Sequence, residues 1–441
     1  MTRNGKDLIP LFPMGTEVDS RGHLRIGGCD SVELAARFGT PLYVFDEGTL
    51  RARCREFRDE FTRRHPQSLV LYASKAFINK TLVSILASEG LGLDVVSGGE
   101  LAVARSVKFP ARNIYFHGNN KSPAELEQAV AYGIGRVVVD GFSDLALMEK
   151  VAAERGVTQD IMLRLSPGVD AHTHASITTG ILDSKFGFPL QNGQAEEAVK
   201  QAICQPHLNL VGLHCHIGSQ VFEVGPYLEA IQVMLQFAAD MHSKHGFEMM
   251  EFSPGGGFPV QYVSGPAAPP VSAYADAMVS TLTSVCSQLK ITVPRLTVEP
   301  GRAIVGRAGV ALYSVGTIKE IPGVRKYVSV DGGMGDNIRP AIYDAKYEAL
   351  LANRAGEAAV ETVTISGRFC ESGDVLIKDA SLPQVATGDT VAIPVSGAYC
   401  PSMASNYNAV PRPAIVLVKD GQARVIRRRE TYEDLMAMDS D

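Results

Sequence analysis

Two hydrophobic periods take turns along this 441-residue chain. Eight short runs are rich in aliphatic and β-branched residues: LVLYAS (69–74), LGLDVV (91–96), NIYF (113–116), RVVVD (136–140), DIMLRLS (160–166), LVGLHCHIG (210–218), EMMEFSPGGG (248–257) and PRLTVEPG (294–301). Between them apolar residues recur every three or four positions, as in NKTLVSILASEG, SPAELEQAVAYG and SDLALMEKVAAERG, which predicts amphipathic helices. Two of these segments open on Ser-x-x-Glu or Ser-Asp and end in glycine, the chemistry of helix boundaries. Strand and helix repeated eight times predict an α/β chain built on a (β/α)8 TIM barrel, assigned to residues 47–305. An open doubly wound sheet fits less well, because no G-x-G-x-x-G follows the first strand.

Past residue 305 the helical period disappears. VALYSVGTIKEI, KYVSVDGG, AVETVTISG, DTVAIPVSGAY, PAIVLVKDG and ARVIRR predict a second, mostly antiparallel β-domain made from residues 1–46 and 306–441. HLRIGG and PLYVFD are its expected N-terminal strands. Residues 166–193 follow neither period and form one long connection, a candidate lid.

Composition narrows the class of protein. With 45% hydrophobic and 20% charged residues, the chain has the balance of a soluble globular protein. A net charge of -6 argues against nucleic acid as a partner, and the basic run at 427–429 is answered by Glu430, Glu433 and Asp434. No run approaches the ~18 apolar residues of a membrane span, and MTRNGKDLIPLFPMG lacks the apolar core of a secretory signal. A cytoplasmic protein with no membrane partner is expected. The seven cysteines are odd in number and form no CxxC pair, so neither a disulfide framework nor a zinc ribbon is indicated.

Catalytic groups of such barrels project from the C-terminal ends of the strands. Here those ends carry Lys75, Asp94, His117, Arg164, His216, Gly255, Gly256 and Gly257, and Glu299 with Arg302. Phosphate sites lie after strands seven and eight, which end in SPGGGF and EPGRAI; Ser219 and Arg302 are further donors. A phosphate site opposite a lysine points to pyridoxal phosphate, whose aldehyde needs one amine. The apolar run before Lys75 predicts a poorly solvated, nucleophilic amine. Glu299 is the candidate partner for the pyridine nitrogen. His214 with His216, and His172 with His174, also match an H-x-H metal pattern, but nothing completes a coordination sphere and no metal is expected.

With those residues in place, the chain resembles the pyridoxal-phosphate decarboxylases of the alanine-racemase barrel type. The likeness runs nearly end to end, through YASKAF, GLDVVSGGEL, FHGNNKS, DSKFGF, GLHCHIGSQ, PGGGF, EPGRAIVG, DGGMGDNIRPAIYDAKYEA, FCESGD and GAYCPSMASNYN. The resemblance implies that Lys75 forms the Schiff base, His216 stacks on the ring and Glu299 pairs with the ring nitrogen. It further implies that Asp94, Ser219, Gly255, Gly256, Gly257, Gly301, Arg302 and Tyr399 surround the cofactor. A homodimer with shared sites follows from it, Cys370 and Glu371 reaching the partner's barrel and Cys370 returning a proton.

The implied reaction is decarboxylation of meso-2,6-diaminopimelate to L-lysine, with Arg302, Arg339, Tyr343, Glu371 and Tyr399 around the substrate. Bidentate geometry favours arginine for a distal carboxylate. The alternatives are a sister decarboxylase of arginine, ornithine, a D-amino acid or carboxynorspermidine, and a cofactor-binding homologue without turnover. Three positions depart from the family's usual wording: Arg368 stands where proline is commoner, and Ser74 and Phe77 flank the lysine.

Overall fold

The computed structural model describes residues 4–169 and 185–440. The candidate lid, with His172 and His174, falls largely outside the described residues. Two compact units are present: Met1–Arg53, Val260–Ala267 and Arg302–Asp441 form one, and Cys54–Pro259 with Ala268–Gly301 form the other.

The second of these is the barrel. Its strands are β1 (Leu69–Ala73), β2 (Gly92–Val95), β3 (Ile114–Phe116), β4 (Arg136–Val139), β5 (Gln159–Ser166), β6 (Leu208–His214), β7 (Glu251–Ser253) and β8 (Arg295–Val298). All neighbours pair in parallel, β8 returns to β1 and β4 pairs with β5, so the sheet closes on itself. All eight strands fall on runs read from the sequence. Inside, Leu71, Tyr115, Val138, Met162 and Val211 form a buried layer, which makes the barrel a packed core. Glu251 joins this interior because the Tyr115 hydroxyl and Arg136 donate to it, and Arg136 also reaches Asp160.

Among the described residues, seven helices connect the strands: α1 (Lys80–Ser88), α2 (Gly98–Ser106), α3 (Pro123–Tyr132), α4 (Phe142–Arg155), α5 (Gln194–Ile203), α6 (Gly225–His245) and α7 (Val271–Leu289). α3 starts where its sequence says, with Ser122 and Glu125 in a reciprocal capping box and left-handed Gly133 at the end. The Ser-Asp cap expected for α4 does not form. Its N-cap is Gly141, and Asp144 lies inside the first turn. The helix starts one residue ahead of Ser143, at Phe142, so Asp144 falls at its third position, where its carboxylate accepts the Asp140 N–H at 3.0 Å and the buried Lys121 ammonium at 2.7 Å.

The other unit is a mixed sheet. Its strands are Leu42–Asp46 and then β9 (Gly309–Ile321), β10 (Arg325–Val330), β11 (Glu361–Ser366), β12 (Val375–Leu382), β13 (Thr390–Ile393), β14 (Ala414–Lys419) and β15 (Gln422–Arg427). Their order is β12-β11-β10-β9-(Leu42–Asp46)-β14-β15, with β13 also on β9. Only β10 with β11 and Leu42–Asp46 with β14 are parallel among these pairs. PLYVFD therefore joins the sheet as expected, whereas HLRIGG does not. Leu24–Ile26 instead pairs with Glu17–Val18 and Cys29–Asp30 in a small separate sheet, because tight turns on both sides satisfy its backbone locally.

Candidate active site

One cavity of about 350 Å³ opens among the strand ends of the barrel, lined by Lys75, Asp94, His117, Arg164, His214, His216 and Glu299 among others. Its volume lies within the roughly 300–1,000 Å³ of small-molecule sites. Six strands contribute these side chains, as the barrel rule requires.

Lys75 sits in a single 3-10 turn, Ser74–Ala76, directly after β1. Such a turn spaces side chains about 120° apart. Ser74 and Ala76 point inward and are buried, so the residue between them points out. The Tyr72 hydroxyl donates to the Phe77 carbonyl at 2.7 Å and pins the turn. Lys75 is consequently exposed, which corrects the expectation of a poorly solvated amine. The apolar run anchors the turn and leaves the amine in the cavity.

Glu299 follows β8 and is held from two sides. His214 Nε2 lies 3.0 Å from one carboxylate oxygen, and Ser253 Oγ donates to the other at 2.8 Å. Burial works against its charge, but the pull of His214 and His117 and these two hydrogen bonds outweigh it, so the carboxyl is held well below its ordinary range. Burial pushes His117 itself toward neutrality, which leaves the contacts of His214 and Ser253 as the firmer hold on that charge.

Asp94 behaves oppositely. Burial, then the Glu299 charge, raises it well above the usual carboxylate range, with Lys75 only partly offsetting them. Two carboxyls in one cavity are thus pushed in opposite directions, a pattern typical of sites that need both forms.

The glycine run after β7 packs between the ends of β6 and β8. A Cβ on Gly256 would stand 2.2 Å from the Glu299 carbonyl oxygen, so no side chain fits there. The run is less open to an anion than expected, since Gly255 N–H donates to Ser253 Oγ at 3.2 Å and Gly256 N–H to His216 Nδ1 at 3.3 Å. Accepting that bond requires His216 in a neutral tautomer, and burial favours the same state. Ser219 is half-buried in the loop after β6. Gly301 follows Pro300, whose carbonyl accepts the Ala73 N–H at 3.2 Å and ties that loop to β1.

The remaining candidates lie in the strand-rich unit. Arg302 donates to the Tyr262 hydroxyl at 2.7 Å and lies 4.6 Å from the Tyr399 ring centroid. Arg339 opens helix α8 (Arg339–Tyr343), stacks 4.6 Å over Tyr262 and donates to the Tyr347 hydroxyl. Both arginines are buried, and Arg339 forms no ion pair with a carboxylate among the described residues. Tyr343 is half-buried and makes no hydrogen bond or ring contact with this group among the described residues.

Cys370 and Glu371 are exposed after β11. Asp374 shapes their loop by accepting the N–H groups of Phe369 at 2.8 Å and Met334 at 2.6 Å. It packs so closely that a Cβ on Gly367 would be 2.2 Å from its carboxylate. Asn408 accepts the Cys370 N–H at 2.8 Å. Arg368 donates its N–H to the Gly332 carbonyl at 2.9 Å, a bond that proline cannot make.

Sequence reasoning assigned no role to Ser253, Tyr262, Tyr347 or Asp374. The polar alternation Glu251-Phe-Ser253 in β7 is a signal for Ser253, because alternate strand residues share a face. Tyr262 carries none, lying in an irregular segment of the stretch assigned to the barrel.

These features suit a pyridine ring bearing an aldehyde: a cavity of the right size, an accessible amine, and an ionised buried carboxylate for a ring N–H. Asp94 Oδ1, His117 Nε2 and His214 Nδ1 are buried there without hydrogen-bond partners, as expected where a polar ligand supplies them. Residues 47–306 match the family model for the pyridoxal-dependent decarboxylase, pyridoxal binding domain. The chain is 47% identical to the diaminopimelate decarboxylase of Bacillus subtilis, over 97% of this chain and 98% of that one. It is 48% identical to that of Actinosynnema pretiosum, over 97% and 94%. The diaminopimelate decarboxylase of M. jannaschii, solved in complex with L-lysine, superposes with a TM-score of 0.90 at 37% identity, over 97% of this chain and 98% of that one. The chain belongs to the diaminopimelate decarboxylase family of pyridoxal-dependent enzymes. No helix among the described residues is long and apolar enough to cross a membrane.

Proposed function

We propose that the chain decarboxylates meso-2,6-diaminopimelate to L-lysine and CO2, using pyridoxal phosphate held in the barrel cavity. The observation that carries this reading is the pairing, in one cavity, of an accessible Lys75 with a Glu299 kept ionised by His214 and Ser253. When bound, the cofactor supplies a sink for the electron pair left as the bond from Cα to the carboxylate breaks.

The chain's own residues do the rest. Lys75 holds the cofactor through its amine. Glu299 keeps a proton at the ring nitrogen, and neutral His216 covers the ring without competing for that proton. Asp94, Ser219, Gly255, Gly256, Gly257, Gly301, Arg302 and Tyr399 complete the cofactor's surroundings. Arg339, Arg302, Tyr343 and Tyr399 take the distal carboxylate, and Glu371 takes the distal ammonium. Cys370 delivers a proton to Cα from its thiol and regains one from solvent.

The exposure of Cys370 and Glu371 supports their serving a second copy of the chain, so the working form is a homodimer with shared sites. Within residues 47–305 the barrel carries Lys75, Asp94, His216 and Glu299 for the cofactor, and the strand-rich unit carries the residues proposed for the substrate. The compartment proposed is the cytoplasm.

The test reduces cofactor-loaded protein with borohydride, maps the adduct by mass spectrometry, and follows CO2 and lysine from meso-diaminopimelate. The expected adduct lies on Lys75, and Lys75→Ala loses turnover. Near-wild-type turnover by Lys75→Ala overturns the reading.

A further inference from the structure

Tyr262 stands in the strand-rich unit and touches both arginines proposed for the substrate. Its hydroxyl accepts from Arg302 at 2.7 Å, and its ring lies 4.6 Å from the Arg339 guanidinium. Tyr347 meets Tyr262 edge to face, with centroids 5.3 Å apart, and accepts from Arg339 through its hydroxyl. The Tyr347 hydroxyl in turn lies 3.4 Å from Cys400 Sγ, and that sulfur lies 3.4 Å from Asn337 Oδ1.

A buried guanidinium ordinarily finds a carboxylate. Arg339 is 6% exposed and has instead two aromatic faces and a phenol. Aromatic faces stabilise a cation without cancelling its charge. They also fix its plane, which decides where the two parallel N–H bonds of a bidentate contact point. Tyr262 is 9% exposed, enough of it buried to hold that plane still.

We propose that Tyr262 is the positioning residue for the distal carboxylate: it aligns Arg339 through its ring and Arg302 through its hydroxyl, and thereby sets preference for substrates with a second carboxyl group. This deepens the decarboxylase reading and rests on it.

The experiment compares wild type, Tyr262→Phe and Tyr262→Leu. KM and kcat are measured for meso-diaminopimelate, together with inhibition constants for L-lysine, which keeps the distal carboxylate, and 1,5-diaminopentane, which lacks it. Tyr262→Leu is expected to raise the KM for meso-diaminopimelate and the inhibition constant of L-lysine about tenfold together, between the exposed and the desolvated scale of a cation–π contact. The constant for 1,5-diaminopentane, kcat and the borohydride adduct on Lys75 stay near wild type. Tyr262→Phe keeps the ring and gives an intermediate rise.

An unchanged KM in Tyr262→Leu, or equal weakening of both inhibitors, overturns the inference alone. Wild-type protein that releases no CO2 from meso-diaminopimelate overturns the decarboxylase reading and this inference with it.

Discussion

Asp336 is a buried carboxyl in the strand-rich unit, six residues past the end of β10. Tyr313 donates to one oxygen at 2.5 Å and Gly333 N–H to the other at 2.8 Å. Burial, with the charges of Asp374 and Asp331 behind it, nevertheless pushes the group from 3.8 up to about 7. Between about pH 4 and pH 7 the native chain therefore keeps a proton that the unfolded chain has released. Stability from this group is full below about pH 4 and is lost as the pH rises to about 7. A displacement from 3.8 to about 7 is worth about 4 kcal/mol at about 1.36 kcal/mol per pH unit.

Asp336→Asn removes the titration while keeping an acceptor for Gly333. The assay is urea unfolding from pH 4.5 to pH 8, read by circular dichroism because the chain has no tryptophan. Wild type should lose about 3 kcal/mol relative to the variant over that window, the ~2.5 pH units between its lower end and about 7. Parallel stability curves for the two proteins refute the reasoning.

Two further outcomes are expected. Gly256→Ala places a methyl group 2.2 Å from the Glu299 carbonyl oxygen, an overpacking of about 1–3 kcal/mol; calorimetry should show a lower Tm, and dialysed protein should lose its cofactor absorbance faster than wild type. Cys370→Ala should keep the borohydride adduct on Lys75 while kcat falls about 10²–10⁴-fold. Mixed with Lys75→Ala and allowed to exchange subunits, it should regain activity that neither variant has alone; no recovery counts against sites shared across a dimer.

The barrel was legible because each strand is a short apolar run and closure needs only parallel neighbours. Lys75, His216 and Glu299 were legible for a related reason: strand ends are countable, and the chemistry collects there. What pattern alone missed depends on distances between segments far apart in sequence. Lys75 sits beside apolar residues, yet a three-residue turn swings it out of the packed interior and into the cavity. Ser143 and Asp144 look like a cap, yet the helix begins at Phe142 and Asp144 sits inside its first turn, bound to Lys121 from more than twenty residues earlier. Tyr262 belongs to an irregular stretch whose value appears only when Arg302, Arg339 and Tyr347 surround it.

Asp374 has a consequence for anyone reshaping the enzyme. One carboxylate grips the backbone beside Cys370 through Phe369 and, through Met334, the approach to the helix that carries Arg339. The candidate acid and the candidate specificity arginine therefore share a mooring. Engineering at Asp374, Gly333 or Gly367 to broaden what is accepted will disturb turnover at the same stroke, so libraries aimed at new amino acids do better to leave that trio fixed and vary the tyrosines.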